Sequence, residues 1–84
     1  MFYVYVIYSP SYKVLYKGIT EDLPRRLIEH NLGLLGKYTK GKGPWHLVYK
    51  EEFDLKSAAL KRERYLKTGA GRDFLKRLLS NEII

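Results

Sequence analysis

Residues 2–8, FYVYVIY, are aromatic or β-branched without a break, which predicts a strand. SPSYK interrupts the run with Pro10 between two serines, a turn. VLYKGI at 14–19 then predicts the antiparallel partner strand. Beyond it the apolar spacing lengthens. Leu23, Leu27 and Ile28 predict a helix capped by Thr20 or Asp22, with Pro24 in its first turn, running to about Asn31 and stopped at Gly33. Residues 33–44 are rich in Gly and Lys and predict mostly loop. WHLVYKEEF at 45–53 predicts a third strand. Ala58, Ala59, Tyr65 and Leu66, with Leu55 before them, form the stripe of a helix over 55–67 that Gly69 ends. Residues 72–79 predict a last short amphipathic helix. The order β-β-α-β-α-α within one domain, 1–84, points to an α/β (α+β) fold: a small three-stranded antiparallel sheet flanked by helices.

Three polar residues sit awkwardly on this pattern. At about 100° per residue, His30 projects almost beside Leu23, and Arg26 lies just outside it, so both line the margin of the buried face. Glu63 falls on the shoulder of the next helix's apolar stripe, where a half-buried carboxylate needs a cation or a metal as partner. Each residue taken singly has a plainer reading. An Arg stem covers apolar surface, a His fills a core edge, and Glu63 pairs with Lys67 at i+4. Tyr3 and Tyr5 share one face of the first strand, and Tyr16 ends the second. A strand tyrosine ordinarily packs with its phenol end wet, but it can also hold a phosphate or pass a proton to a nearby base.

Composition narrows the choice of chemistry. The chain has no cysteine, which excludes a disulfide framework and thiolate metal sites. No apolar stretch approaches the roughly 20 residues of a membrane span, and the N-terminus lacks a signal-peptide pattern; a cytoplasmic protein without a membrane partner is expected. Sixteen Lys and Arg against nine Asp and Glu give a net charge of +7 on 84 residues. That field favours a polyanion, nucleic acid before an acidic lipid surface, although a basic surface can serve solubility alone.

Taken together and in order, these residues resemble the GIY-YIG nuclease family over nearly the whole chain. The first family tripeptide is similar to Tyr3-Val4-Tyr5, and the second to Tyr16-Lys17-Gly18. Arg26 and His30 follow with the Arg-x-x-x-His spacing of the family's helix. KYTKGKGPWHLVY at 37–49 resembles the loop and third strand of small stand-alone members, and SAALKRERYLK at 57–67 resembles their acidic helix. Three departures stand out. Tyr3 and Val4 replace Gly and Ile of the first tripeptide, Lys17 replaces an apolar residue of the second, and the Asn that many members carry beyond the metal-binding Glu has no counterpart before Asn81.

The resemblance implies a metal-dependent endonuclease that hydrolyses phosphodiester bonds, in DNA before RNA. Tyr5, helped by His30, would take a proton from the attacking water, which requires nearby positive charge to lower the phenol's pKa. Tyr16 would hold the water or a phosphate oxygen. Arg26 would stabilise charge on the phosphate, and Glu63 would bind one Mg²⁺ or Mn²⁺. Binding would come from Lys37, Tyr38, Lys40 and Lys42 in a mobile loop, and from Lys61, Arg62, Arg64 and Arg72. GAG at 69–71 reads as a helix stop and tight turn, His46 as structural, and Trp45 as packing. The missing Asn also admits a non-catalytic nucleic-acid-binding module on the same fold. A basic adaptor that binds protein is a third reading.

Overall fold

The computed structural model describes residues 1–83, with side chains through Ser80; Asn81 lies outside the described side chains. Strands β1 (Phe2–Ser9) and β2 (Val14–Thr20) lead into helix α1 (Leu23–Asn31). A short helix α2 (Gly36–Thr39), strand β3 (His46–Phe53) and helices α3 (Lys56–Leu66) and α4 (Gly69–Ile83) complete the chain. The sheet is antiparallel with β1 in the middle, in the order β2-β1-β3. Its central place explains the unbroken apolar run of β1, which is covered on both faces. Val4 and Val6 meet Ala59, Leu66, Leu75 and Leu79 of α3 and α4 on one face. Tyr5 and Ile7 meet Trp45, with Leu23 and Leu27 of α1 packed against them, on the other.

The helix ends follow local chemistry. Asp22, not Thr20, caps α1, its carboxylate accepting from the Arg25 amide at 3.2 Å; the Thr20 hydroxyl instead accepts from the Asp22 amide at 3.1 Å. Gly33 stops α1 in the left-handed region at φ 74°, where a glycine is unstrained. Three expectations fail on the α1 and α3 stripes. Ile28, Leu55 and Tyr65 are 59%, 66% and 38% exposed, so the stripe of each helix is narrower than its sequence suggests.

The stretch expected as loop contains α2. Four residues are too few to show a helical period, and α2 is held from outside. The Thr39 hydroxyl lies 3.0 Å from His30 Nδ1, the Thr39 carbonyl accepts from Trp45 Nε1 at 3.1 Å, and the Ser9 hydroxyl donates to Lys42 O at 2.6 Å. The expected mobile loop is therefore pinned at two points. The GAG segment is also not a turn but the start of α4. Thr68 accepts from the Gly71 amide and donates to Tyr65 O, bridging the two helices. Residue 71 is glycine because a Cβ there would overlap Tyr65 O and the Leu66 backbone; the sequence signal of a stop is here a signal of close packing.

Candidate active site

The site forms where α1 crosses the β1–β2 half of the sheet. Tyr5 of β1 faces Gly18 of β2, and a Cβ on Gly18 would overlap the Tyr5 hydroxyl, so the second tripeptide's glycine makes room for the first tripeptide's tyrosine. The Tyr5 hydroxyl lies 2.8 Å from His30 Nε2, both residues being 2% exposed. His30 Nδ1 lies 3.0 Å from Thr39 Oγ1. The Thr39 hydroxyl also lies 2.9 Å from Leu35 O. With its one proton given to Leu35 O, Thr39 accepts from His30 Nδ1–H, Nε2 carries the lone pair, and Tyr5 donates to it; this is the proton order that a Tyr5–His30 relay requires.

The electrostatics agree in part. Burial and then the charge of Arg26 push the His30 pKa down, keeping the ring neutral, while Glu29 pulls the other way. Burial pushes the Tyr5 phenol well up, with Tyr16 and Glu63 adding to it and Arg26 opposing without prevailing. This corrects the expectation that positive charge lowers Tyr5: desolvation of a phenolate outweighs one nearby guanidinium. Tyr5 is not poised as a free phenolate. It can take a proton only as it passes its own to Nε2, so the buried pair acts as a unit.

Arg26 is half-buried and pairs with Glu29 by a single contact of 3.4 Å, leaving donors of its planar fork free. Tyr16 meets the His30 ring edge-on at 5.1 Å and the Tyr38 ring at 5.7 Å; Lys42 Nζ stands 4.1 Å over Tyr38. An aromatic series thus leads outward from the buried pair, and the structure brings Tyr5, Tyr16, Arg26, His30, Tyr38 and Lys42 into one region. Glu63 is felt electrostatically at Tyr5 and is held by Lys67 Nζ at 3.4 Å, the i+4 pair that its plainer reading anticipates.

The other candidates lie apart from this series. Lys37, Lys40, Lys61 and Arg64 are exposed. Arg62 is held elsewhere: its guanidinium donates twice to Glu51 of β3, at 2.8 and 3.0 Å, and stacks over Tyr65 and Phe74. Burial opposes the Glu51 charge, but hydrogen bonds from Arg62 and Tyr49 hold its carboxyl below the usual range. Arg62 is thereby bound into a structural cluster, leaving little of it for a phosphate. Arg72 instead lines a depression with Tyr16 and Tyr38. Trp45 packs as expected, donating through Nε1 to Thr39 O at 3.1 Å, and its amide donates to Asn31 Oδ1 at 2.5 Å. His46 is exposed. A cavity of about 670 Å³ is lined by Tyr3, Tyr5, Ile7, Leu23, Leu27 and Lys50 among others; it is mostly apolar, and neither Arg26 nor His30 lines it.

Thr39 and Asn31 are the residues that sequence reasoning missed. A buried imidazole has two ring nitrogens to satisfy, which Thr39 and Tyr5 supply, and the buried Trp45 has its own backbone amide and carbonyl, which the Asn31 side chain pairs. The signal lay in that requirement, not in any motif.

Among the described residues no three His, Cys, Asp or Glu gather as a metal cage. The donor set still fits Mg²⁺ or Mn²⁺ in one form. Such hard ions accept one carboxylate and complete their shell with water and substrate phosphate, and Glu63 offers one half-buried carboxylate.

The family model for the GIY-YIG catalytic domain matches residues 1–77, and the chain belongs to that family, a nuclease family. It is similar to the UPF0213 protein of Natronomonas pharaonis, 47% identical over 66 residues that cover 79% of this chain and 76% of that one. The UPF0213 protein of Staphylococcus saprophyticus is likewise 47% identical, over 79% of each chain. The solution NMR structure of the UPF0213 protein from Bacillus halodurans superposes with a TM-score of 0.53 at 31% identity, covering 99% of this chain and 87% of that one. Nucleic acid is the substrate class the family implies. Among the described residues no helix is long and apolar enough to cross a membrane.

Proposed function

We propose that the protein is a divalent-metal-dependent endonuclease acting on nucleic acid, DNA in preference to RNA. The observation that carries this reading is the buried Tyr5–His30 hydrogen bond, with Thr39 on the other ring nitrogen, next to the free donors of Arg26. Tyr5 accepts a proton from the attacking water while delivering its own to His30 Nε2. That relay needs no free phenolate, which the raised phenol pKa would disfavour. Arg26 relieves charge on the phosphate as it gathers, and Tyr16 holds the water or a phosphate oxygen. Glu63 would hold one Mg²⁺ or Mn²⁺ in place of Lys67, and the bound ion would supply Lewis-acid stabilisation of the phosphate and the departing oxygen. Lys42, Tyr38 and Arg72 supply binding beside the site, and the exposed Lys37, Lys40, Lys61 and Arg64 add to the field that attracts the polyanion.

A second reading, a nucleic-acid-binding module that does not cut, is favoured by the Glu63–Lys67 pair, which neutralises the metal-binding carboxylate. Branched, flapped and plain duplex DNA, incubated at low salt with and without Mn²⁺, separates the two. Cleavage should need metal, vanish in Glu63→Ala and fall about a hundredfold to a thousandfold in Arg26→Ala. Binding without cutting on every substrate would favour the second reading.

A further inference from the structure

Lys17 stands on β2 between Leu15 and Ile19, both packed on the apolar core, a position whose pattern calls for an apolar side chain. It is half-buried, and among the described residues it makes no ion pair. Its charged neighbours are cations. Burial, then Arg72 and Lys67, push its pKa down. Arg72 donates to Lys67 O at 3.1 Å, which brings the start of α4 to the end of α3 at this spot. Among the described residues, Lys67 alone of the three cations has a carboxylate partner, Glu63. All three line one depression of about 200 Å³, whose other walls are Leu15, Tyr16 and Tyr38. Crowded like charges beside apolar residues destabilise the fold unless an anion joins them.

We propose that Lys17, Lys67 and Arg72 form a phosphate subsite on the free edge of β2, which seats a backbone phosphate flanking the one at Tyr16 and Arg26. The subsite rests on the nucleic-acid reading above, and Tyr16 is the wall it shares with the candidate active site. A strand lying across Tyr16 would meet the catalytic groups on one face of β2 and this cluster on the other. The metal that releases Lys67 from Glu63 would also free its ammonium for the phosphate, so metal and strand would favour each other.

The test is fluorescence anisotropy of labelled flap DNA without metal, across a salt series, for wild type, Lys17→Gln, Arg72→Gln and Lys50→Gln. Lys50→Gln removes the same charge from an exposed position on β3. One lost phosphate contact lowers the salt slope by about 1 and weakens binding about five- to tenfold near 0.1 M salt. Lys17→Gln and Arg72→Gln should each show that loss, and Lys50→Gln less than a twofold change. The melting midpoint of Lys17→Gln should hold or rise, because crowding is relieved; a residue needed only for packing would lower it. Equal losses in Lys17→Gln and Lys50→Gln would overturn the subsite in favour of a diffuse field. Saturable NMR shifts at Lys17 with inorganic phosphate, alongside undiminished DNA binding by Lys17→Gln, would assign the cluster to free phosphate and also overturn it. Should wild type bind but never cut while Lys17→Gln still loses affinity, the subsite stands and the nuclease reading falls.

Discussion

On one face of the sheet Val4 and Val6 meet Ala59, Leu66, Leu75 and Leu79, side chains without a polar atom. On the other face Tyr5 and Ile7 meet Trp45, and His30 and Thr39 are buried beside them. Among the described residues no buried side-chain nitrogen or oxygen lacks a hydrogen-bond partner. The faces therefore differ in what holds them. The first depends on volume and forgives changes that conserve it. The second depends on a chain of donors and acceptors in which each member satisfies the next, and losing one leaves another unsatisfied. The first face supports the sheet, and the second carries the candidate chemistry on it.

Leu66→Ala should give the largest effect and separate the faces most sharply. Leu66 is fully buried, so its truncation should destabilise the fold by about 2–5 kcal/mol, a large part of the stability of so small a domain. Cleavage per folded molecule should stay close to wild type at low temperature. A urea titration paired with a rate measurement would show this. A rate loss exceeding the loss of folded protein would mean that the apolar face also tunes the site.

Thr39→Val tests the other face at nearly constant volume. It removes the acceptor from His30 Nδ1–H and should destabilise by about 1–3 kcal/mol, with Thr39→Ser close to wild type. The sharper readout is the imidazole itself. Nitrogen NMR of wild type and Thr39→Ser should show the proton on Nδ1 of His30, whereas Thr39→Val should lose that preference and slow cleavage beyond its stability loss. A proton on Nε2 in the wild type would refute the relay.

The same contrast explains what the sequence made legible. β1, β2, α1, β3 and α3 follow from residue type and period, because a face packed by volume leaves a periodic trace. Tyr5, Tyr16, Arg26 and His30 could be gathered in advance because a strand and the helix after it hold them at short separations. Thr39 could not, because hydrogen-bond partners obey no period and α2 is only four residues long. Arg62 failed to stand out for a similar reason. Its charge was plain, but its partner Glu51 lies on β3, 11 residues back in the chain. Gly71 gave the right signal, a need for glycine, but the wrong cause.

The smallest effect expected is a pH dependence just below neutrality, which the polar face produces through His30. The folded state holds His30 neutral with its pKa below the ordinary 6.5, so unfolding takes up a proton once the pH is below that value. The contribution to stability is present in full above about pH 6.5 and is lost as the pH falls toward the folded-state value. One proton limits the slope to about 1.4 kcal/mol per pH unit. Urea midpoints should be flat from pH 8 to 7 and decline below 6.5, and His30→Gln should reduce the decline. Cleavage should fall in the same acidic window, because a protonated Nε2 cannot accept from Tyr5. Leu66→Ala should shift every midpoint down and leave this slope in place, since the carboxylate on its face, Glu51, is held below the ordinary 4.5 and so titrates beneath this window. A slope that disappears with Leu66 and persists without His30 would reverse the assignment of the two faces.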